Sequence, residues 1–165
     1  MIKTLTALLG ILTAGLCKAT LSFNLMERPK IKIEKPPVWD NACAAFQINP
    51  EKTVFTYGDT IYNPGNIYIP DDLIVHEMVH IKQQNGNDDD AALWWGKYLR
   101  DPRFRLLQET EAYAKQYAFI CKTTKDREKR NRILHNIATI LSGPLYGHCV
   151  GATEAMLLIK QRAGV

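Results

Sequence analysis

The stretch Pro70-Asp71-Asp72-Leu73-Ile74-Val75-His76-Glu77-Met78-Val79-His80-Ile81-Lys82-Gln83-Gln84-Asn85-Gly86 decides how this chain is read. Leu73, Ile74, Val75, Met78, Val79 and Ile81 form an apolar stripe, an aspartate at the front can cap a helix, and Gly86 is a natural stop. The pattern predicts a helix over 72–85. Inside it lies the string His76-Glu77-Met78-Val79-His80. Side chains at i and i+4 share one helix face, so His76 and His80 can grip a single metal ion with Glu77 beside it. Two histidines packed at the edge of an apolar core would give the same spacing without a metal.

The residue types suit zinc chemistry. Neutral imidazole is a good zinc ligand, and a catalytic site takes three protein ligands with a fourth position left for water. Zinc lowers the pKa of that water from near 16 to about 7. Glu77 is the expected base, taking the proton and passing it to a leaving amine.

A third ligand is expected from the next helix, predicted over 102–122, where Asp101 can cap and Pro102 fits the first turn. Glu109 and Glu111 compete for the role. At about 100° per residue they project about 160° apart, so one alone can face the metal. Glu109 shares its sector with Leu106, Ala112, Tyr113, Gln116 and Ile120. Around Glu111 stand Phe104, Leu107, Ala114 and Ala118, but also Lys115 and Lys122, whose charges would repel a dication. Glu109 is the favoured ligand and Glu111 the alternative.

His76-Glu-x-x-His80 followed by a helical Glu-x-x-Ala resembles the gluzincin zinc metallopeptidases, whose third ligand is a glutamate from a later helix. Both Glu109-Thr110-Glu111-Ala112 and Glu111-Ala112-Tyr113-Ala114 satisfy that pattern. Many gluzincins carry an aspartate four residues after the ligand to orient a histidine; this chain has Tyr113 or Lys115 there. A resemblance to small phage- and bacteria-encoded metallopeptidases extends over roughly residues 50–160. It passes through His80-Ile81-Lys82-Gln83-Gln84, Asp101-Pro102-Arg103-Phe104-Arg105 and Ser142-Gly143-Pro144-Leu145-Tyr146-Gly147. The resemblance implies metal-dependent peptide hydrolysis, and a cleft whose edge strand could pair with an extended substrate.

The ends bound location. Met1-Ile2-Lys3 and the apolar run 5–16 read as a secretory signal, too short for a comfortable membrane span. Cleavage after Ala19 is expected, with an uncleaved anchor or lipidation at Cys17 as alternatives. The chain is therefore expected to be exported, periplasmic or secreted, or else tethered to a membrane by its N-terminal segment. Loss of residues 1–19 removes Lys3 and Lys18, so a formal charge of +4 falls to +2. So mild a charge gives no reason to expect nucleic acid as a partner. In an oxidising compartment two of Cys43, Cys121 and Cys149 can pair, whereas three buried thiols are the alternative; none has zinc-ligand spacing.

Residues 20–38, with Pro29, Pro36 and Pro37, read as an extended spacer, leaving 39–165 as one domain. Runs 53–57, 60–62 and 66–69 are β-branched and aromatic, separated by Gly58-Asp59 and Asn63-Pro64-Gly65, and predict a short antiparallel sheet. Tyr62 and Tyr68 are expected to pack. Asp88 can open a helix through Trp94, Trp95 and Leu99, with both tryptophans in the core. The Asp88-Asp89-Asp90 run suits a helix start better than a second metal site. The basic run 122–132 is interrupted by Asp126 and Glu128 and reads as a solvated helix face, followed by Ile133, Leu134, Ile137 and Ile140 turned inward. Gly143-Pro144 breaks that helix, and 152–162 forms the last. Tyr146 and His148, in the break, are candidate oxyanion donors.

The expected architecture is α+β: a short antiparallel sheet, then a mainly helical zincin-like body of four or five helices. The expected function is a zinc-dependent endopeptidase acting on a peptide or protein substrate, with His76, His80 and Glu109 on the metal and Glu77 as base. The alternative is a non-catalytic zinc-binding or membrane-tethered helical interaction protein.

Overall fold

Gly58 makes a tight reversal of the chain. Its φ of +60° lies in the left-handed region, so the backbone conformation favours glycine; the nearest atom to a Cβ there would be the movable Asp88 Oδ1 at 2.8 Å. The Gly58-Asp59 turn joins β2 (Phe55–Tyr57) to β3 (Thr60–Tyr62) as an antiparallel hairpin, pairing Phe55 with Tyr62 and Tyr57 with Thr60. The computed structural model describes residues 28–46, 49 and 52–165. The signal or anchor expected over 1–19, and the beginning of the spacer expected over 20–38, lie outside those residues.

The described residues form an α+β fold of three short strands and six α-helices. In chain order the other elements are β1 (Lys30–Lys32), α1 (Trp39–Ala45), α2 (Asp71–Gln83), α3 (Asp88–Arg100), α4 (Pro102–Thr123), α5 (Arg127–Leu141), a 3-10 turn (Pro144–Tyr146) and α6 (Ala152–Ala163). Strand order is β1-β3-β2, and β1 runs parallel to β3, so the sheet is mixed rather than wholly antiparallel. Prolines bar Lys30–Lys32 from a helix but not from an edge strand, where one side needs no partner. The stretch expected as a spacer thus contributes a strand, and Val38 at its end is buried in the core.

Residues 66–69 do not form the expected third strand. The Asn63 side chain donates Nδ2 to the Ile67 carbonyl at 2.8 Å and accepts the Ile67 amide at 3.0 Å, so a local loop uses the groups a ladder would need. Tyr68 consequently stands 86% exposed, whereas Tyr62 is buried as expected.

Caps explain the helix starts. Asp101 Oδ1 accepts the Arg103 and Phe104 amides ahead of α4, and Asp126 accepts Lys129 N ahead of α5. Asn87, rather than Asp88, caps α3 by accepting Asp90 N at 2.9 Å. The three aspartates occupy its first turn, where the helix dipole favours negative charge. At α2 the capping position is Pro70, which has no side-chain acceptor, and Asp71 and Asp72 fill the first turn instead.

Two apolar clusters result among the described residues. One joins α4, α5, α6 and the 3-10 turn through Leu106, Tyr117, Leu134, Leu141, Tyr146 and Ile159. The other joins α1, the hairpin and α3 through Val38, Ala42, Phe55, Trp94, Trp95 and Tyr98. On α5 the inward residues are Leu134, Ile137, Ala138 and Leu141; Ile140 points outward at 49% exposure. The basic run is solvated, with one weak Glu128–Arg132 pair at 3.9 Å. Cys43 and Cys149 are exposed and Cys121 partly buried, all three as free thiols, so neither a bridge nor a set of buried thiols forms. No helix among the described residues is long and apolar enough to cross a membrane.

Candidate metal centre

α2 packs lengthwise on α4, and the face they share carries His76, Glu77, His80 and Glu109, all buried. The two imidazoles meet Nε2 to Nε2 at 3.1 Å. Glu109 closes the group, with Oε2 3.3 Å from His76 Nε2 and Oε1 3.4 Å from His80 Nε2. Four ligands at zinc-like bond lengths of about 2.0–2.1 Å stand about 3.3–3.4 Å apart along the edges of their tetrahedron. One ligand atom from each of the three residues lies within 4.8 Å of the others, and the buried group could bind a metal ion.

Glu111 lies elsewhere. It is exposed and accepts from Gln83 Nε2 at 3.0 Å. The same Gln83 nitrogen donates to the Gln108 carbonyl at 3.1 Å, so its Oε1 faces His80 Nδ1, 2.8 Å away, as an acceptor. That contact makes Nδ1 the donor, so when His80 is neutral its Nε2 lone pair faces the site. Glu111 therefore acts on the centre at one remove, through Gln83. Gln83, one helical turn beyond His80, is legible in retrospect as His-x-x-Gln, a pattern that reads from sequence merely as a polar helix end.

Tyr113, four residues after Glu109 on α4, packs its ring edge-on against His76 with centroids 4.5 Å apart. It fixes the imidazole plane by contact; His76 Nδ1 itself is buried without a hydrogen-bond partner. Trp94, held by Nε1 donating to Gln108 Oε1 at 2.9 Å, lies against the His80 ring. Tyr98 donates its hydroxyl to Glu109 Oε1 at 2.7 Å. Glu77 accepts from Thr56 Oγ1 at 2.7 Å, which ties the carboxylate to β2. None of Thr56, Tyr98 or Trp94 had a spacing in the sequence that would link it to the histidines, because all reach the site through tertiary packing.

Electrostatics in the metal-free protein follow from burying opposite charges together. Burial pulls the His80 pKa down, but the Glu109 carboxylate, and after it Glu77 and Gln83, outweigh that effect and push it up to about 9. Burial raises the Glu109 carboxyl in turn, and the two imidazoles overcome it, holding the group well below the usual carboxylate range. Burial, reinforced by the Glu109 charge, raises the Tyr98, Tyr113 and Tyr146 phenols, which stay neutral donors at physiological pH.

The centre opens on a cavity of about 830 Å³. Its wall includes all four acidic and imidazole groups together with Arg105 and Tyr146. Of the two candidate oxyanion donors, buried Tyr146 lines the cavity; His148 is exposed, directs Nδ1 to the Ser142 carbonyl at 2.9 Å and is not part of the lining. β2 also lines it through Phe55 and Thr56, but the Thr56 carbonyl already accepts from Gln84 Nε2 and Trp95 Nε1 at 3.1 and 3.0 Å. Strand addition by a substrate at Thr56 would have to displace both. Comparison of the chain with family models, curated proteins and solved structures finds no match.

Proposed function

We propose that this protein is a zinc-dependent endopeptidase of gluzincin-like organisation, exported by its N-terminal segment and acting on peptide or protein substrates. One observation carries the reading: two imidazole nitrogens and a carboxylate converge with ligand-like spacing, and a second carboxylate, Glu77, stands beside them in the same cavity. The donor set, two histidines and one glutamate, is that of many catalytic zinc sites. When bound, zinc supplies a Lewis acid that makes water acidic near neutral pH and polarises a carbonyl.

The chain's own groups do the rest. His76, His80 and Glu109 would hold the ion, with Gln83 and Tyr98 fixing the orientation of His80 and Glu109. Glu77, held in place by Thr56, accepts the proton of the attacking water and returns it to the leaving amine. Tyr146 offers a neutral hydroxyl on the cavity wall for the negative charge that develops on the carbonyl oxygen.

The test is Glu77→Gln. Its amide preserves size and can still meet Thr56 but cannot take a proton, so zinc content should remain stoichiometric while hydrolysis of a peptide library falls about 10²- to 10⁴-fold. Undiminished hydrolysis with zinc retained removes Glu77 from the mechanism.

A further inference from the structure

Arg105 is 7% exposed and lies on the wall of the metal cavity, yet among the described residues no carboxylate pairs with it. A buried cation without an anion is costly, and proteins ordinarily pair one. Neutral partners engage two of its three guanidinium nitrogens. Nε donates to the Leu145 carbonyl at 2.9 Å and Nη1 to the Tyr98 carbonyl, which leaves Nη2 without a hydrogen-bond partner among the described residues and not sealed from solvent. The rings of Phe46 and Tyr98 lie 5.0 and 5.9 Å from the guanidinium carbon and brace the plane. Such a group is held rigidly, largely buried, with one nitrogen left to receive an anionic partner from the cavity.

Its position suits a substrate. Arg105 precedes Glu109 by four residues on α4, one turn along the same helix face and about 6 Å along the axis. An extended peptide advances about 3.3–3.6 Å per residue, so that step spans about two residues.

We propose that Arg105 is the anion-recognising group of this cavity and selects peptides that carry a carboxylate within about two residues of the cleaved bond. The carboxylate is either the free C-terminus or an aspartate or glutamate side chain. This inference rests on the peptidase reading; selection of the terminus would make the enzyme exo-acting, selection of side chains endo-acting, with the same metal chemistry.

The experiment offers the zinc-loaded full chain two peptide libraries, identical except for free-acid or amidated C-termini, and identifies products by mass spectrometry. Carboxylates should be enriched about tenfold or more around cleaved bonds, because a desolvated charge-assisted contact discriminates on that scale. If the terminus is the source, amidation abolishes the enrichment; if side chains are, amidation leaves it intact. In Arg105→Gln, checked for stoichiometric zinc, the preference should disappear as a rise in KM for acidic members, and Arg105→Lys should restore part of it. No carboxylate preference in the wild-type protein overturns the proposal, with no variant needed. So does a preference that survives Arg105→Gln. Failure to cleave either library counts against the peptidase reading instead. Calorimetric binding of matched free-acid and amidated peptides to the zinc-loaded protein then decides the role of Arg105, equal affinity refuting it.

Discussion

Glu109 and Glu111 are two residues apart on one helix, and the protein uses them differently. Glu109 is buried against both imidazoles; Glu111 is exposed and holds Gln83, which orients His80. Their removal should therefore differ in kind. Glu109→Gln is expected to abolish stoichiometric zinc binding, and Glu111→Gln to weaken it about tenfold at most, as loss of a group acting through an intermediary does. Zinc titration against a competing chelator separates them, and equal losses would contradict the geometry. Protons provide an independent readout. In the metal-free protein His80 is held up to about 9, so it is charged at pH 7, and zinc must displace that proton to bind. Zinc affinity should rise with pH until His80 is neutral. Calorimetry in buffers of different ionisation enthalpy should show roughly one proton released per zinc at pH 7 and few above pH 9. The same pair gives the metal-free fold a pH window. The His80 contribution is complete below its ordinary 6.5 and lost as pH rises through about 9, whereas that of Glu109 is present above its ordinary 4.5 and lost as pH falls below it.

Among the elements, α2 matters most, and the sheet holds its end in place through one side chain. Gln84, 1% exposed just after α2, donates to the Thr56 carbonyl at 3.1 Å and accepts Gly58 N at 2.9 Å, so its amide imitates a strand neighbour of β2. Gln84→Leu would bury Gly58 N without a partner and halve the bonding of Thr56 O, at a cost of about 1–3 kcal/mol in urea denaturation. A change within about 0.5 kcal/mol would mean that α2 is anchored elsewhere. Gln84 also marks the limit of what the sequence discloses. The helices over 71–83 and 102–123 were legible within one or two residues because apolar period, caps and stop signals agree. The histidine pair was legible because an i, i+4 relation is local. What escaped depends on partners distant in sequence or on side chains competing with the backbone. The parallel pairing of β1 has no local signature. Asn63 pre-empts a strand at 66–69 with its own amide, and α1 lies directly behind Pro36 and Pro37, which suggest extended chain. The outward face of Ile140 reflects where α6 packs, a fact absent from the period of α5 alone.

Viewed as a whole molecule, the metal group lies at a seam. Tyr146 and Leu106 belong to the cluster of α4, α5 and α6, Tyr98 and Trp94 to that of α1, the hairpin and α3, and Glu109 and His80 touch residues of the second while sharing the cavity wall with Tyr146 of the first. α4 serves both, with Leu106 in one cluster and Phe104 against the other, so the clusters remain joined when no ion is bound. An ion held by the three donors would tie α2 to α4 across that seam and would favour the folded chain, since unfolding separates His80 from Glu109. Its effect on stability is then set by mass action: free zinc about 1,000-fold above its Kd should add about 4 kcal/mol, or about 8–16 °C in Tm for a chain of this size. Chelation should lower Tm by that amount and leave a single transition, because the shared helix keeps both clusters in one cooperative unit. Differential scanning calorimetry at pH 7 with zinc and with chelator tests both points. An unchanged Tm would mean that the three donors hold no ion. Two resolved transitions after chelation would mean that α4 fails to couple the clusters and that the ion itself joins them.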